Sequence, residues 1–313
     1  ETEEEAARWL EDKANNRPPP ELLPRDVVAR AIYREVQAGN GSEHGGVYLD
    51  VTQRGADYIK RKLPSMYEQF HALGDVDITK EPMEVYPTIH YTMGGVRATS
   101  ETCATNVPGL YTAGETACGG HGANRLGGNA LCDLLVFGKR AGEAAAAHAQ
   151  EHPHGESDAA RIREEVASML APFESAGTEN PYVITQELQA AMQKGAMIAR
   201  TEESLSKCLD KVLELQDRAH NLHIEGSRMY NPGWHTARDI QNMLKVSEVI
   251  VRCALQRRES RGAQWRLDYP DPDPEWAKKN LISTSGPNGE VQIDTRPVPE
   301  LPPELAALFE AKK

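Results

Sequence analysis

The stretch His121-Gly-Ala-Asn-Arg-Leu-Gly-Gly-Asn-Ala-Leu131 runs directly into an apolar, alanine-rich segment that is predicted to be helical as far as Ala146. Its glycines let the backbone approach a ligand closely, and a helix start presents free N–H groups and partial positive charge to an anion. Arg125 adds a planar guanidinium suited to a carboxylate. Taken alone, the stretch fits an ordinary helix-capping loop as well as an anion or cofactor site. The helix is apolar on most sides, so we expect it to be buried against a sheet.

Composition limits the kinds of protein that the 313 residues can form. With 47 acidic and 35 basic residues the net charge is −12, which argues against a nucleic-acid surface. The five cysteines are odd in number and lack a Cys-x-x-Cys pair, so we expect no disulfide framework and no metal site, and a reducing cytosol fits. No apolar run reaches membrane-spanning length, and the start does not resemble a signal peptide. The opening Glu1-Thr-Glu-Glu-Glu5 has no initiator methionine, which suggests a fragment or a processed chain.

A helix is predicted from Pro24 onward, after a short acidic helix over residues 3–15 and a proline run. Apolar residues recur at helical spacing at Val28, Ile32 and Val36. Arg25 and Asp26 then lie in the first turn, where the helix dipole does not favour a cation. Either Arg25 pairs with a neighbouring carboxylate, Asp26 or Glu21, or a function requires it there.

Extended segments surround two further polar residues. A strand is predicted at residues 45–51, a short extended piece at 76–79, and an extended segment at 83–96 that is interrupted at Pro87 and Gly94-Gly95. His90 precedes the Gly94-Gly95 pair and could be a core residue or a ligand. A strand from Gly109 to Ala113 leads into Glu115, and an acidic group just beyond a strand suits the hydroxyls of a ribose or ribityl chain.

The second half of the chain changes character. Four helices are predicted over residues 159–173, 183–199, 201–221 and 236–258, and they form a helical bundle. A polar linker, residues 150–158, precedes them. A β-hairpin that turns at Asn288-Gly289 and a final helix over residues 304–312 complete the chain.

Five motifs in order resemble the flavoprotein subunit of succinate dehydrogenase and fumarate reductase. They are Arg25-Asp-Val-Val-Ala-Arg30, Pro87-Thr-Ile-His-Tyr-Thr-Met-Gly-Gly95, Pro108-Gly-Leu-Tyr-Thr-Ala-Gly-Glu115, His121–Leu131 and Arg257-Arg-Glu-Ser-Arg-Gly262. The continuation Asp133-Leu-Leu-Val-Phe-Gly138 favours the succinate dehydrogenase branch, and L-aspartate oxidase is a relative that shares most of the motifs.

The resemblance implies an α/β plus α architecture that corresponds to roughly the C-terminal half of the family's flavoprotein. Residues 1–88 would be the later part of a capping domain, and residues 89–150 the second segment of an FAD-binding Rossmann-like domain. Residues 151–258 would be the helical bundle domain, and residues 259–313 a small C-terminal α+β domain. The Gly-x-Gly-x-x-Gly segment that holds the FAD diphosphate in the family does not occur here, so the chain would need the missing N-terminal half.

Residue roles follow from the same resemblance. Arg25 matches the arginine that transfers a proton, and His90 and Arg125 match residues that hold substrate carboxylates, helped by the N–H of Gly128. Glu115 would contact FAD hydroxyls. The amides of Asn129, Ala130 and Leu131 would stabilise negative charge on the reduced flavin. Ala130 stands where many members have serine, so a hydroxyl contact to FAD is in doubt.

The implied reaction is hydride transfer between a dicarboxylate, succinate or fumarate, and flavin N5. Electrons would pass to an iron–sulfur subunit, then on to quinone, with membrane-anchor subunits as indirect partners. The implied location is peripheral, on the cytoplasmic face of the bacterial inner membrane. Two alternatives stay open: L-aspartate oxidase, which needs no iron–sulfur partner, and a piece that is inactive without its N-terminal half.

Overall fold

The computed structural model describes residues 25–153 and 155–310, together with Arg8, Glu11 and Asp12. The chain divides into two compact units, residues 1–90 and 91–313. Most of the acidic helix predicted over residues 3–15 lies outside the described residues, as do Pro24 and the last two residues of the predicted final helix, Lys312 included. The finer domain boundaries stay predictions.

From residue 25 onward, the first unit combines three α-helices with a two-stranded sheet. Its elements are α1 (Arg25–Gln37), β1 (Val47–Leu49), α2 (Ala56–Lys62), α3 (Pro64–Gly74) and β2 (Met83–Val85). β1 and β2 are antiparallel, with Val47 opposite Val85, and a small core forms around Ile59, Ile78 and Met83. The helix predicted from Pro24 onward is confirmed over Arg25–Gln37. The predicted extended piece at residues 76–79 is wrong in its second half, because the Asp77 carboxylate accepts hydrogen bonds from both the backbone and the side chain of Thr79 and closes a turn.

Two predictions about the start of the second unit are wrong. Gly109–Ala113 is not a strand; within the described chain its only ladder contact is a single bridge between Tyr111 and Ala104. Helix α4 (Asn129–Glu151) has no buried residue. Leu131 and Leu135, for example, are 69% and 76% exposed, because no sheet covers this apolar face among the described residues. Both predictions fail for the same reason. Strand pairing and helix burial each need a partner segment, and the pattern of the segment itself does not show whether that partner is present.

The predicted helical bundle is confirmed. It contains α5 (Ala159–Glu174), α6 (Pro181–Ala196), α7 (Glu202–Arg218) and α8 (Pro232–Gln256). Thr201 starts α7 with a capping box closed by Ser204. The largest core of the molecule lies between α6, α7 and α8 and includes Ile184, Leu188, Leu205, Val212, Leu215, Ile240, Leu244 and Val251. Burial of these aliphatic side chains is the main source of the bundle's stability.

The predicted hairpin is also confirmed. Strands β3 (Lys279–Ser285) and β4 (Val291–Pro297) pair antiparallel in full register, and Gly289 takes a φ of 82° in the turn between them. Such a positive φ favours glycine. Helix α9 (Pro303–Glu310) follows. Among the described residues no helix is long and apolar enough to cross a membrane.

A charged cluster joins α6 to α7. The Arg218 guanidinium donates to both carboxylate oxygens of Glu187 at 2.8 and 3.1 Å and to both oxygens of Glu179 at 2.9 Å. Lys211 lies 2.7 Å from Glu187. The hydrogen bonds from Arg218, then those from Lys211, lower the pKa of Glu187 from 4.5 to about 2.

Acid should therefore loosen this part of the bundle. Because the folded-state pKa of Glu187 is below 4.5, its contribution is complete above pH 4.5 and is lost as the pH falls towards 2. We expect Arg218→Met to lower the melting temperature by about 2–4 °C at pH 6, or ~1 kcal/mol. The difference from wild type should vanish near pH 2, as measured by calorimetry. Arg228→Met is the control, since that arginine is 56% exposed and pairs with an exposed Glu174. An Arg218→Met deficit that is constant from pH 6 to pH 2 would contradict this account.

Candidate active site

The turn before α4 has the geometry expected of a ligand-facing helix start. Gly128 is the N-cap in a left-handed conformation, with φ 84° and ψ −23°, and no side chain caps the helix. The N–H of Asn129 donates to the carbonyl of Leu126 at 3.2 Å, and the N–H of Leu131 donates to that of Gly128 at 3.3 Å. These two backbone hydrogen bonds close the turn, and a helix start without a side-chain cap is open to an external acceptor.

Arg125 lies in the same turn, and its side chain is held over an aromatic ring. Its guanidinium carbon lies 4.7 Å from the centre of the Tyr91 ring. Nη1 donates to the carbonyl of Leu126 at 3.2 Å. A guanidinium over a ring face is attracted by the ring quadrupole, so this contact fixes the cation without neutralising its charge.

His121 and Asp133 complete the surroundings of that ring. Nε2 of His121 lies 3.3 Å from Oδ2 of Asp133, an ion-pair distance whose geometry falls short of a hydrogen bond. The His121 ring meets Tyr91 edge-on, with centroids 5.3 Å apart. Burial raises the pKa of the Tyr91 phenol, and the carboxylates of Asp133 and Glu115 raise it further. The four side chains of Tyr91, His121, Arg125 and Asp133 therefore form one cluster.

Glu115 lies in a short 3₁₀ helix, Gly114–Thr116. Its carboxylate accepts a hydrogen bond of 2.8 Å from the N–H of Thr92. The neighbouring backbone is close-packed, because a Cβ on Gly95 would lie 2.3 Å from the carbonyl oxygen of Thr116. Glu115 is exposed. Its carboxylate, which the hydrogen bond from Thr92 holds in place, therefore faces solvent.

The C-terminal motif of the resemblance contacts the Arg125 loop. The N–H of Ala263 donates to the carbonyl of Ala123 at 3.0 Å. Gly262 has a φ of 56°, and a Cβ there would lie 2.3 Å from the same carbonyl oxygen. The buried Glu259 binds Arg257 at 2.7 Å and Arg261 at 2.9 Å. The Arg257–Gly262 segment thus supports the loop two residues before Arg125.

Two predicted site residues belong to the first unit and are described by themselves. Arg25 is the first residue of α1 and is exposed. Asp26, its neighbour, lies 3.6 Å from Arg30, one turn later. His90 is exposed, and its Nδ1 lies 3.3 Å from the carbonyl oxygen of Thr88.

The structure therefore places one group of predicted residues on a single turn and helix start: Arg125, Gly128, Asn129, Ala130 and Leu131. The catalytic, substrate-binding and cofactor-binding roles assigned to these residues, and to Arg25, His90 and Glu115, stay predictions. Sequence reasoning missed Tyr91 as the partner of Arg125, and His121 and Asp133 as neighbours in the same cluster. All three stand inside or next to the motifs quoted above, so the signal was present, but ring and ion-pair contacts are not readable from spacing.

The residues of the second unit fit an FAD. Glu115 offers an exposed carboxylate for hydroxyl groups. The uncapped start of α4 offers N–H groups, and Leu126 and Leu131, 73% and 69% exposed, offer apolar surface to a flat ring. Hydroxyl acceptors, amide donors and apolar surface are what the polar chain and ring of a flavin require.

Comparison with known proteins agrees with this fit. Residues 2–131 match the family model of an FAD binding domain, and residues 185–304 match that of the fumarate reductase flavoprotein C-terminus. One chain of the fumarate reductase (CoM/CoB) of Methanothermobacter marburgensis is 42% identical over 266 residues, which is 84% of this chain and 47% of that protein.

Solved structures agree as well. The Mycobacterium smegmatis Sdh1 in complex with UQ1 has a TM-score of 0.81 and 47% identity, covering 95% of this chain and 50% of that one. An Escherichia coli quinol fumarate reductase also has a TM-score of 0.81, with 35% identity, covering 90% and 50%.

Fold and comparisons together define the chain as part of a flavoprotein whose cofactor is FAD. The chain belongs to the family of succinate dehydrogenase and fumarate reductase flavoprotein subunits. It spans about half the length of the relatives it matches.

Proposed function

We propose that this protein interconverts succinate and fumarate with FAD, with Arg125 holding a substrate carboxylate. The observation that carries the proposal is the Arg125 guanidinium, held 4.7 Å above the Tyr91 ring on the turn that starts an uncapped helix. FAD, when bound, supplies the hydride acceptor and donor. The remaining chemistry is the work of the protein's own side chains.

Binding and polarisation are assigned to His90, Arg125 and Gly128. Fumarate is a flat dianion, so cationic or N–H donors at both ends would hold it in one orientation. A donor that draws negative charge onto one carboxylate polarises the double bond and favours hydride attack at the neighbouring carbon. Family membership and the placement of Arg125 beside the N-cap Gly128 support these roles.

Proton transfer is assigned to Arg25, and cofactor contacts to Glu115, Asn129, Ala130 and Leu131. Arg25 stands at the start of α1, a position that the helix dipole does not favour for a cation. Its side chain is exposed, and Asp26 is paired with Arg30. A cation placed against the dipole and directed outward is consistent with a functional requirement.

The proposed partners are a dicarboxylate, an iron–sulfur subunit, membrane-anchor subunits behind it and the N-terminal half of the flavoprotein. The proposed location is peripheral, on the cytoplasmic face of the inner membrane. The structural relatives support the partners in general terms, since one was solved in complex with UQ1 and another is a quinol fumarate reductase.

Substrate preference separates this proposal from L-aspartate oxidase. We expect the full-length, FAD-loaded protein to reduce a redox dye with succinate and not with L-aspartate, and to co-purify with an iron–sulfur protein. Dye reduction with L-aspartate but not with succinate would contradict the proposal and identify the protein as an L-aspartate oxidase. The isolated 313-residue chain should lose its yellow colour on desalting if FAD needs the N-terminal half, whereas retained flavin absorbance would contradict that dependence.

A further inference from the structure

The ring of Tyr91 lies at the centre of the cluster that surrounds Arg125. One contact is with the Arg125 guanidinium at 4.7 Å, and another is with the edge of the His121 ring at 5.3 Å, with an angle of 77° between the two rings. An aromatic face that holds a guanidinium fixes its plane while its N–H groups remain directed sideways. The orientation of Arg125 therefore depends on where the Tyr91 ring is held.

Asp133 and His121 lie beside that ring. Asp133 lies just after the first turn of α4, a helix of 23 residues, so its backbone is part of a rigid element. The side chains of Asp133 and His121 are 11% and 12% exposed, and Nε2 of His121 lies 3.3 Å from Oδ2 of Asp133. The Tyr91 ring thus lies among largely buried side chains, which limit the room it has to move.

The geometry points to Tyr91 as a positioning residue for Arg125. This inference rests on the proposed function, since it concerns how Arg125 meets a dicarboxylate. The backbone carbonyl of Leu126 anchors one end of the guanidinium, and the ring face anchors its plane. Without the ring, Arg125 would keep its charge but sample several orientations, and dicarboxylate binding would weaken.

Malonate, a dicarboxylate that cannot be dehydrogenated, is the probe in the full-length, FAD-loaded protein. Its dissociation constant is measured from the change in flavin absorbance, alongside KM and kcat for succinate. Tyr91→Leu should raise the malonate Kd and the succinate KM together, by about 3- to 30-fold, with a smaller change in kcat. Tyr91→Phe keeps the ring and should stay within about threefold of wild type.

A matched control separates positioning from general packing. Tyr111 also lies in the second unit and meets a histidine edge-on, His148, with centroids 6.2 Å apart. Tyr111→Leu should leave the malonate Kd unchanged. If Tyr91→Leu does not retain flavin, Tyr91→Met takes its place, because it keeps much of the volume but offers no ring face.

The outcomes distinguish this inference from the function on which it rests. Wild-type protein that neither binds malonate nor oxidises succinate would overturn the proposed function, and this inference with it. Wild-type protein that binds malonate, with an unchanged Kd in the ring-less variant, would overturn the positioning role alone. Equal weakening in Tyr91→Phe and Tyr91→Leu would also overturn it, because the ring face would then be irrelevant.

Discussion

Replacing Arg25 by alanine should lower kcat for succinate oxidation by about 10²- to 10⁴-fold, the range that a positioned proton-transfer group contributes. Flavin content should stay unchanged, because Arg25 is exposed at the first residue of α1 and contributes nothing to a core. The malonate Kd should change little compared with kcat, since the role assigned to Arg25 is proton transfer. The measurement is steady-state turnover of the full-length enzyme, normalised to absorbance at the flavin maximum.

The pairing around Arg25 sharpens this prediction. Asp26 forms its ion pair with Arg30 at 3.6 Å, a helical i,i+4 contact that is worth only a few tenths of a kcal/mol. Among the described residues no hydrogen bond or ion pair holds the Arg25 side chain. Because Arg25 is exposed and α1 has no buried residue, we expect its loss to remove little stability, which the flavin content and melting temperature of the variant would check.

Arg34→Ala is the control, because it removes an exposed arginine from the last turn of the same helix. It should keep turnover within about twofold of wild type, as expected of a surface substitution. Turnover near the wild-type rate in Arg25→Ala would contradict the proton-transfer role proposed for Arg25. A parallel loss in both variants would mean that α1 acts as a structural element.

Local sequence patterns predicted many of the helices and the β-hairpin. Helices α1 and α5 to α8 follow from 3.6-residue periodicity, and the hairpin follows from Asn288-Gly289, because each signal is contained in the segment that folds. The sequence of His121–Leu131 fits a helix-capping loop as well as a ligand site. The left-handed Gly128, the missing side-chain cap and the ring beneath Arg125 now favour the ligand site.

Features that need distant partners could not be predicted from pattern. The segment Gly109–Ala113 has the composition of a strand, but pairing depends on a neighbour that the segment does not contain. The same is true of the apolar face of α4, whose burial was expected and does not occur among the described residues. The Tyr91–Arg125 contact joins positions 34 residues apart along the printed sequence, and no periodicity connects them.

Arg266 is the clearest case of a residue whose importance the sequence conceals. It stands in a charged tail, yet it is 0% exposed. Its guanidinium forms a bidentate pair with Asp268, with both distances 2.8 Å, and reaches Glu202, at the first turn of α7, at 2.9 Å. It also donates to the carbonyl of Ala254, in the last turn of α8, at 2.7 Å. One side chain therefore links the end of α8 to the start of α7.

Arg266→Ala should lower the free energy of unfolding of the bundle by about 2–3 kcal/mol, because it removes the charge-assisted hydrogen bonds of a fully buried guanidinium, while the carboxylates left behind are partly exposed. Asp268 and the last carbonyls of α8 would lose their donor, and leaving such groups unsatisfied is expensive. Arg266 holds the pKa of Asp268 at about 2. That value should therefore rise in the variant, and the stability deficit should shrink as the pH falls from the ordinary 3.8 of an aspartate towards 2.

Arg258→Ala provides the matched control for that prediction, because Arg258 approaches the same Glu202 at 4.0 Å but is 60% exposed. It should cost less than about 0.5 kcal/mol, as exposed pairs do. Hydrogen–deuterium exchange of the α7 and α8 amides in increasing urea measures both variants locally, which is necessary because the chain has two compact units. Equal losses in the two variants would show that burial of Arg266 contributes nothing beyond an ordinary surface ion pair. The double variant Arg266→Met with Asp268→Leu removes both charges of the pair, so it should recover part of the loss if unpaired charge is its cause.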